Sequence, residues 1–136
     1  GAKRLKNTSG LVDALRLTKD EGEVALIRKA AKIQQEALEA VLETIEPGQR
    51  ESEVAALLEY EMKARGASGP SFETIVAARA NGSLPHARPG STKLAANQPL
   101  LIYWGARYRG YCSDMTRTFA FGRWPKRVAE IYKVVL

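Results

Sequence analysis

Helical spacing of apolar residues runs through the first half of the chain. Thr18 and Glu21 match a capping box, in which each side chain accepts a hydrogen bond from the other residue's backbone N–H, so they predict a helix start. Apolar positions then recur near one helical face up to a Pro47–Gly48 stop: Val24, Ile27, Ala31, Leu38, Leu42 and Ile45. A second helix is predicted from about residue 52 to residue 65, with Gly66 as its C-terminal cap and an inward face of Val54, Leu57, Leu58 and Met62.

The second half of the chain changes from the helical period to strands. Residues 71–77 mix aromatic and β-branched residues, and residues 100–106 form an apolar run, so both segments predict strands. Residues 111–121 predict a third strand, which a turn at residues 107–110 joins to the second as a hairpin. Pro125 suits the start of a terminal helix, whose apolar residues follow at helical spacing: Val128, Ile131, Tyr132 and Val135.

This order of elements predicts an α+β fold, in which two helices pack on an antiparallel sheet and a terminal helix follows. Residues 1–17 form a basic lead-in that suits a linker, a short strand or a short helix, so the folded unit is expected over residues 18–136. The terminal helix meets no stop signal before Leu136, and the chain starts with Gly1 rather than Met. We therefore expect a truncated piece of a longer protein.

Length and composition narrow the class of protein. With 136 residues, 45% of them hydrophobic and 26% charged, the chain suits a single globular domain. No apolar run approaches the roughly 18 residues of a membrane span, so we predict no membrane partner. Cys112 is the only cysteine, which excludes an internal disulfide and favours a reducing, cytoplasmic location. One histidine and one cysteine also exclude the usual structural zinc sites.

The excess of basic residues bears on the kind of partner. The formal net charge is +6, and residues 88–136 are strongly basic. A basic surface can bind nucleic-acid phosphates, but no recognised nucleic-acid-binding motif accompanies this one. We therefore favour a solvated face, or a face for an acidic partner, and predict no nucleic-acid partner.

Three side chains are candidates for chemistry. Asp114 is predicted within a half-buried strand, where a carboxylate needs a metal ion or an arginine such as Arg117, and the bare sequence favours the ion pair. His86 lies in a proline-flanked loop that would aim its imidazole at a cleft, although the bare sequence favours an ordinary surface histidine. Cys112 has no basic neighbour to activate its thiol, so we interpret it as a packing residue rather than a nucleophile.

One longer stretch adds a family resemblance. Residues 105–119, GARYRGYCSDMTRTF, resemble the central motif of the pita-bread metallopeptidases, in particular Xaa-Pro aminopeptidase (aminopeptidase P) and prolidase. Further stretches resemble, in the same order, the first helix of that family, the turn between its helices, and its strand and histidine-bearing loop: residues 19–31, 46–53, 71–76 and 84–87. The combined resemblance covers nearly the whole chain from about Leu11.

The resemblance implies a dinuclear metal hydrolase that cleaves the bond between an N-terminal residue and proline. In this family two divalent ions, often manganese or cobalt, share two aspartates, one histidine and two glutamates, and they activate a bridging water. Asp114 matches the second aspartate ligand. His86 matches a histidine that binds no metal but hydrogen-bonds the substrate and helps to stabilise the tetrahedral intermediate. The substrate implied for the parent protein is a peptide with proline as its second residue.

The sequence departs from the family pattern at the first aspartate ligand, where it has Tyr103. A tyrosine is larger and is neutral near pH 7, so it cannot replace a bridging carboxylate. The histidine and the two glutamate ligands would lie beyond Leu136, so the chain resembles only the amino-terminal half of the catalytic domain. We therefore expect the chain by itself to bind no metal and to be inactive as a peptidase.

The same half-domain suggests an alternative function. An unpaired half would leave a sheet edge and the apolar strand at residues 100–106 uncovered, and such surfaces promote association. A second copy of the chain, related by a two-fold axis, would cover them. The alternative is therefore a non-catalytic binding module that forms a homodimer.

Overall fold

The computed structural model describes residues 7–135, and every statement about the fold refers to this part of the chain. Its helices are α1 (Leu11–Leu17), α2 (Glu21–Leu42), α3 (Glu51–Ala64) and α4 (Lys126–Val135). Its strands are β1 (Gly69–Pro70), β2 (Ile75–Ala78), β3 (Pro99–Trp104), β4 (Ala106–Tyr108), β5 (Tyr111–Cys112) and β6 (Met115–Ala120). A 3-10 turn, Arg79–Ser83, follows β2. The first six residues of the predicted lead-in lie outside the described residues, as does Leu136.

The strands form two antiparallel sheets of three strands each within the described chain. One sheet has the order β2-β3-β6, in which Tyr103 lies between Ile75 on one side and Thr116 on the other. The second sheet has the order β1-β4-β5. Helices α2 and α3 pack on each other and against these sheets. This arrangement confirms the predicted α+β fold, with two helices on an antiparallel sheet and a terminal helix.

Helix α2 starts with a different cap from the one predicted. Asp20 accepts a hydrogen bond from the backbone N–H of Glu23 at 2.8 Å, and the Glu23 carboxylate accepts one from the backbone N–H of Asp20 at 2.8 Å. The predicted box of Thr18 and Glu21 is therefore wrong. An aspartate caps a helix at least as well as a threonine, and its negative charge is favoured at the positive end of the helix dipole.

The buried face of α2 agrees only in part with the predicted one, of which Leu38 and Ile45 are buried as expected. Ala30, Ile33, Ala37 and Val41 are 0% exposed, whereas Leu42, which was predicted to face inward, is 38% exposed. The reason is that α2 contacts both α3 and the hairpin of β4 and β5, so its buried stripe is set by two neighbours. The inward face predicted for α3 is confirmed, since its residues are buried or half-buried: Val54, Leu57, Leu58 and Met62.

The predicted hairpin of two long strands is broken into two shorter pairs. β3 ends at Trp104, and Gly105 separates it from β4. The chain passes so closely here that a Cβ on Gly105 would overlap the carbonyl oxygen of Ser113. The Ser113 hydroxyl also accepts a hydrogen bond from the backbone N–H of Ala106 at 3.0 Å. The pair of β4 and β5 therefore separates from β3 and β6 and joins β1 in the second sheet.

The predicted strand at residues 71–77 is shorter than expected, because β2 begins at Ile75. Ser71 instead bonds to the break in the hairpin. Its backbone N–H donates to the Gly105 carbonyl at 2.8 Å, and its hydroxyl donates to the Ser113 carbonyl at 2.9 Å. These bonds satisfy backbone groups that would otherwise lack partners at the break.

The main core lies between the long helices and one face of the β2-β3-β6 sheet. Leu100, Ile102 and Trp104 alternate along β3 toward this face and are 0–1% exposed. The indole N–H of Trp104 donates to the Gln34 carbonyl at 3.1 Å, and the Gln34 side-chain amide donates back to the Trp104 carbonyl. Gln34 is 0% exposed, a buried polar residue that the apolar pattern of α2 did not predict.

The two shorter helices lie at the periphery of the fold. All residues of α1 are exposed, including Leu15 at 75% and Leu17 at 77%. Helix α4 exposes Ile131 at 50% and Val135 at 80%. Among the described helices, none combines the length and the apolar character needed to cross a membrane.

Candidate active site

The second face of strand β3 holds the candidate site. Strand alternation places Leu101 and Tyr103 on this face, opposite to the helices. They pack there against a small apolar cluster of Ile75, Ala77 and Ala87. Tyr103 is half-buried, so its ring is held by the cluster while its hydroxyl reaches a polar neighbour.

Tyr103 and Asp114 are hydrogen-bonded across neighbouring strands. The pairing of β3 with β6 sets Tyr103 opposite Thr116, and Asp114 precedes Thr116 by two residues. The Tyr103 hydroxyl donates to Asp114 Oδ2 at 3.0 Å. The two positions that the family resemblance assigns to aspartate ligands therefore lie side by side.

The predicted surroundings of Asp114 are wrong in two respects. Asp114 is exposed in the break between β5 and β6, not half-buried within a strand, because Ser113 is drawn into the contact with Gly105. Within residues 7–135 it also forms no ion pair with an arginine. Arg117 donates instead to the backbone carbonyl of its neighbour Thr116 at 2.8 Å.

The phenol of Tyr103 is held in its neutral form. The hydrogen bond to the Asp114 carboxylate raises the pKa of Tyr103 above its usual value, with smaller contributions from desolvation and from the carboxylate charge. The Tyr103 ring stacks on Phe72 with a centroid distance of 4.3 Å and an interplanar angle of 23°. At neutral pH, Tyr103 is therefore a fixed hydrogen-bond donor and is unsuited to act as a general base.

His86 lies on the loop between the 3-10 turn and β3, and it is exposed. It borders a cavity of about 370 Å³ together with Phe72 and Tyr103. An exposed ion pair between Glu73 and Arg88, at 3.6 Å, lies at the same cavity. The structure therefore brings His86 and Tyr103 to one cavity, with Asp114 hydrogen-bonded to Tyr103.

Tyr103 also borders a second concavity. This concavity has a volume of about 300 Å³ and a largely apolar lining that includes Ile75, Leu84, Pro85, Leu101 and Thr116. Tyr103 and Ile75 thus line both the cavity of His86 and this apolar recess.

Sequence reasoning missed Glu51, a buried carboxylate that is hydrogen-bonded to the segment carrying His86. Glu51 is 0% exposed and accepts hydrogen bonds from residues on both sides of His86, at Ala78, Asn81 and Gly90. A signal was present in the sequence. Glu51 precedes Val54, Ala55, Leu58 and Met62 at helical spacing, so it lies in phase with the buried face of α3.

The interpretation of Cys112 as a packing residue is wrong. Cys112 is exposed on β5, where it pairs with Arg107 at the outer strand of the β1-β4-β5 sheet. An outer strand has one neighbour only, so it offers fewer contacts to bury a side chain.

The donors at the site do not fit a dinuclear metal centre by themselves. Within residues 7–135, no three histidine, cysteine, aspartate or glutamate side chains lie close enough together to hold a metal ion. Asp114 offers one carboxylate, and its Oδ2 already accepts the Tyr103 hydrogen bond. Mn²⁺ and Co²⁺ are held by several oxygen or nitrogen ligands, which this part of the chain does not bring together.

Comparisons with known proteins agree with the family resemblance. The profile of Metallopeptidase family M24 matches residues 25–136. An Xaa-Pro dipeptidase of Pyrococcus horikoshii is 37% identical over 134 residues, which is 98% of this chain and 38% of the relative. An Xaa-Pro dipeptidase structure from Bacillus anthracis superposes with a TM-score of 0.91 at 41% identity, covering 94% of this chain and 36% of that one.

A further solved structure supports the same assignment. The X-Pro aminopeptidase from Thermotoga maritima has a TM-score of 0.89 and 37% identity, over 92% of this chain and 36% of that chain. The chain thus spans a little over a third of the length of these relatives. The matched profile and the shared fold together place it in one family. The chain belongs to Metallopeptidase family M24.

Proposed function

We propose that residues 18–136 form the amino-terminal half of an Xaa-Pro peptidase catalytic domain, with residues 1–17 as a lead-in, and that this chain alone does not hydrolyse peptides. The observation that carries the proposal is the hydrogen bond from Tyr103 to Asp114 at 3.0 Å. It joins the two positions that the family resemblance assigns to aspartate ligands. The two positions together supply one carboxylate, whereas the family pattern has two.

The chemistry of the donors supports the expected lack of metal. In the complete enzymes of this kind, manganese or cobalt ions provide an activated water as the nucleophile. Tyr103 is neutral, and its hydroxyl donates a hydrogen bond to Asp114. It therefore competes with a cation for this carboxylate instead of helping to bind one.

The substrate proposed for the complete enzyme is a peptide with proline as its second residue. The names of relatives such as the Xaa-Pro dipeptidase of Pyrococcus horikoshii support this class. His86 would hydrogen-bond the peptide from the cavity that it shares with Tyr103, and would stabilise the tetrahedral intermediate. The lone Cys112 supports a reducing, cytoplasmic location for this chemistry.

Calorimetry and a peptidase assay test this proposal. We expect the unaltered chain to show no Mn²⁺ or Co²⁺ site tighter than about 1 µM, and no hydrolysis of an Xaa-Pro dipeptide with either metal. Tyr103→Asp supplies a second carboxylate and should give measurable but weak metal binding. Tyr60→Asp adds the same charge on α3 at a side chain that is 65% exposed and serves as the control. A tight site in the unaltered chain that is lost in Asp114→Asn, or hydrolysis by the chain, would overturn the proposal.

A second candidate function is the non-catalytic homodimer, and one observation favours it. Helix α4 and the outer face of the β2-β3-β6 sheet border an apolar groove of about 470 Å³. The groove is lined by residues of both elements, including Leu101, Thr118, Val128, Ile131 and Val135. Burial of this surface against a second copy would remove exposed apolar side chains from water.

A further inference from the structure

The loop that carries His86 has both of its ends fixed to one buried carboxylate. We define this His86 loop as residues 79–90, which connect the end of β2 to the segment before β3. Glu51 Oε1 accepts hydrogen bonds from the backbone N–H of Ala78 at 2.7 Å and from the side-chain amide of Asn81 at 2.9 Å. Glu51 Oε2 accepts one from the backbone N–H of Gly90 at 3.1 Å. The three donors lie before, within and at the end of the loop.

Backbone hydrogen bonds strengthen the same connection. The N–H of Ser52 donates to the Gly90 carbonyl at 3.1 Å, and the N–H of Glu51 donates to the Thr92 carbonyl at 3.0 Å. The Asn81 side chain also donates to the Thr92 hydroxyl at 3.1 Å. The first residues of α3 therefore hold the end of the loop through their own N–H groups, which have no acceptor inside the helix. Glu51 adds the connection to the start of the loop.

The fixed loop ends and the buried neighbour of His86 together restrict where the backbone of His86 can lie. Ala87, the next residue, is 7% exposed and packs on Ile75 and Ala77 of the sheet. His86 itself is exposed and borders the cavity with Tyr103. Because both loop ends and Ala87 are held, His86 has little freedom of backbone position, although no described side chain holds its imidazole.

We propose that Glu51 is a positioning residue for His86, acting through the loop and touching neither substrate nor His86. A carboxylate suits this task because its two oxygens accept all three N–H bonds and present no proton of their own. A glutamine would turn one of the two acceptors into a donor facing an N–H group. The effect on catalysis rests on the role proposed for His86, whereas the effect on loop geometry does not.

The test is Glu51→Gln, followed by NMR spectroscopy. His86 is the only histidine in the chain, so its imidazole gives one set of ring resonances. We expect the amide of Gly90 to exchange its hydrogen at least about 5-fold faster, which is the lower end of the effect of losing a buried hydrogen-bond partner. The ring resonances of His86 should shift or broaden, while amide exchange in the middle of α2 stays unchanged. Glu59→Gln is the control, because Glu59 lies on the same helix and its side chain forms no hydrogen bond or ion pair in the described chain.

A second variant keeps the test decisive if Glu51→Gln does not fold. Asn81→Ala removes one donor and leaves the carboxylate with two, and it should shift the His86 resonances in the same direction by a smaller amount. Unchanged His86 resonances in a folded Glu51→Gln protein, or in Asn81→Ala when the first variant does not fold, would overturn the proposal. So would equal acceleration of exchange at Gly90 and in the middle of α2, because Glu51 would then have only a general stabilising role. Neither readout needs peptidase activity, so failure of the proposed function leaves this result interpretable.

Discussion

Two tyrosines of the chain each donate a hydrogen bond to a carboxylate, one at the candidate site and one between a strand and a helix. Tyr103 donates to Asp114 at the candidate site, at 3.0 Å. Tyr111 donates to Glu23 at 2.6 Å and so joins the hairpin of β4 and β5 to the start of α2. The pKa of Glu23 is lowered, first by the Tyr111 hydrogen bond and then by the backbone N–H of Asp20. Both tyrosines have raised pKa values, with the hydrogen bond as the largest cause in each case.

The pair at the site gives a prediction at the scale of single residues. Asp114→Asn removes the negative charge, so the pKa of Tyr103 should fall back toward its ordinary value of 10.0 while that of Tyr111 stays raised. The check is a pH titration of the tyrosine ring resonances by NMR. Glu23→Gln is the matched control and should lower the pKa of Tyr111 alone. A Tyr103 pKa that is the same in both variants would show that the hydrogen bond to Asp114 does not persist in solution.

The same bond makes stability depend on pH in the alkaline range. A group whose pKa is raised by folding stabilises the folded state fully below its unfolded pKa, which for tyrosine is near 10.0. This stabilisation is lost as the pH rises through the raised pKa of Tyr103. Tyr103→Phe keeps the stacking on Phe72 but removes the hydroxyl, so it should lack this part of the alkaline loss of stability.

At the scale of elements, the break in the hairpin positions the candidate site. Gly105 and Ser113 pass in close contact, with a hydrogen bond from the Ser71 hydroxyl to the Ser113 carbonyl. The strands on one side of the break belong to one sheet and those on the other side to a second sheet. Asp114 directly follows the contact, so the break exposes its carboxylate to the hydroxyl of Tyr103.

Replacement of Gly105 tests this close contact. Gly105→Ala places a Cβ in overlap with the backbone carbonyl oxygen of Ser113, which cannot move without separating the strands. We expect the free energy of unfolding to fall by about 3 kcal/mol or more, at the upper end of overpacking effects. Urea denaturation measures the change. Gly82→Ala is the control, because its Cβ would meet atoms at 3.6 Å and 3.8 Å, and it should change stability by less than about 1 kcal/mol. Equal effects of the two variants would contradict the role given to the break.

At the scale of the whole molecule, the chain leaves apolar surface beside the candidate site. Helix α4 exposes Ile131 at 50%, Tyr132 at 41% and Val135 at 80%. The groove between α4 and the sheet lies next to Leu101, on the same sheet face as Tyr103. A second copy of the chain that covers this face would bring the two Asp114 side chains toward one interface.

The homodimer proposal predicts a mass of twice the 14.9 kDa of the chain in light scattering at micromolar concentration. Tyr103→Asp should weaken the dimer in metal-free buffer, because it places a second carboxylate beside Asp114 in each copy and like charges repel. Tyr60→Asp adds the same charge on α3 at a side chain that is 65% exposed, and it should leave the mass unchanged. A mass near 15 kDa for the unaltered chain would contradict the proposal, and equal dimerisation of Tyr103→Asp would remove the role of Tyr103.

The type of each long element could be predicted from the sequence, whereas the ends of elements could not. Helical and strand periods are local properties, so α2, α3, the hairpin segments and α4 were all found. The choice of Asp20 over Thr18 as a cap depends on a competition between two good caps two residues apart. The break at Gly105 depends on how close Ser113 approaches, which no local pattern records.

The sequence by itself determined the fold class and the family, and it proposed His86, Tyr103 and Asp114 as candidate site positions. These follow from periodicity and from a motif of neighbouring residues, both of which can be read along the chain. Only the tertiary structure decided that Tyr103 donates to Asp114, that Asp114 is exposed, and that Glu51 holds the His86 loop. The donors to Glu51 include residues 27 and 39 positions away in the chain. Contacts at such separations form only when helices and strands pack, because packing alone brings those atoms within hydrogen-bond distance.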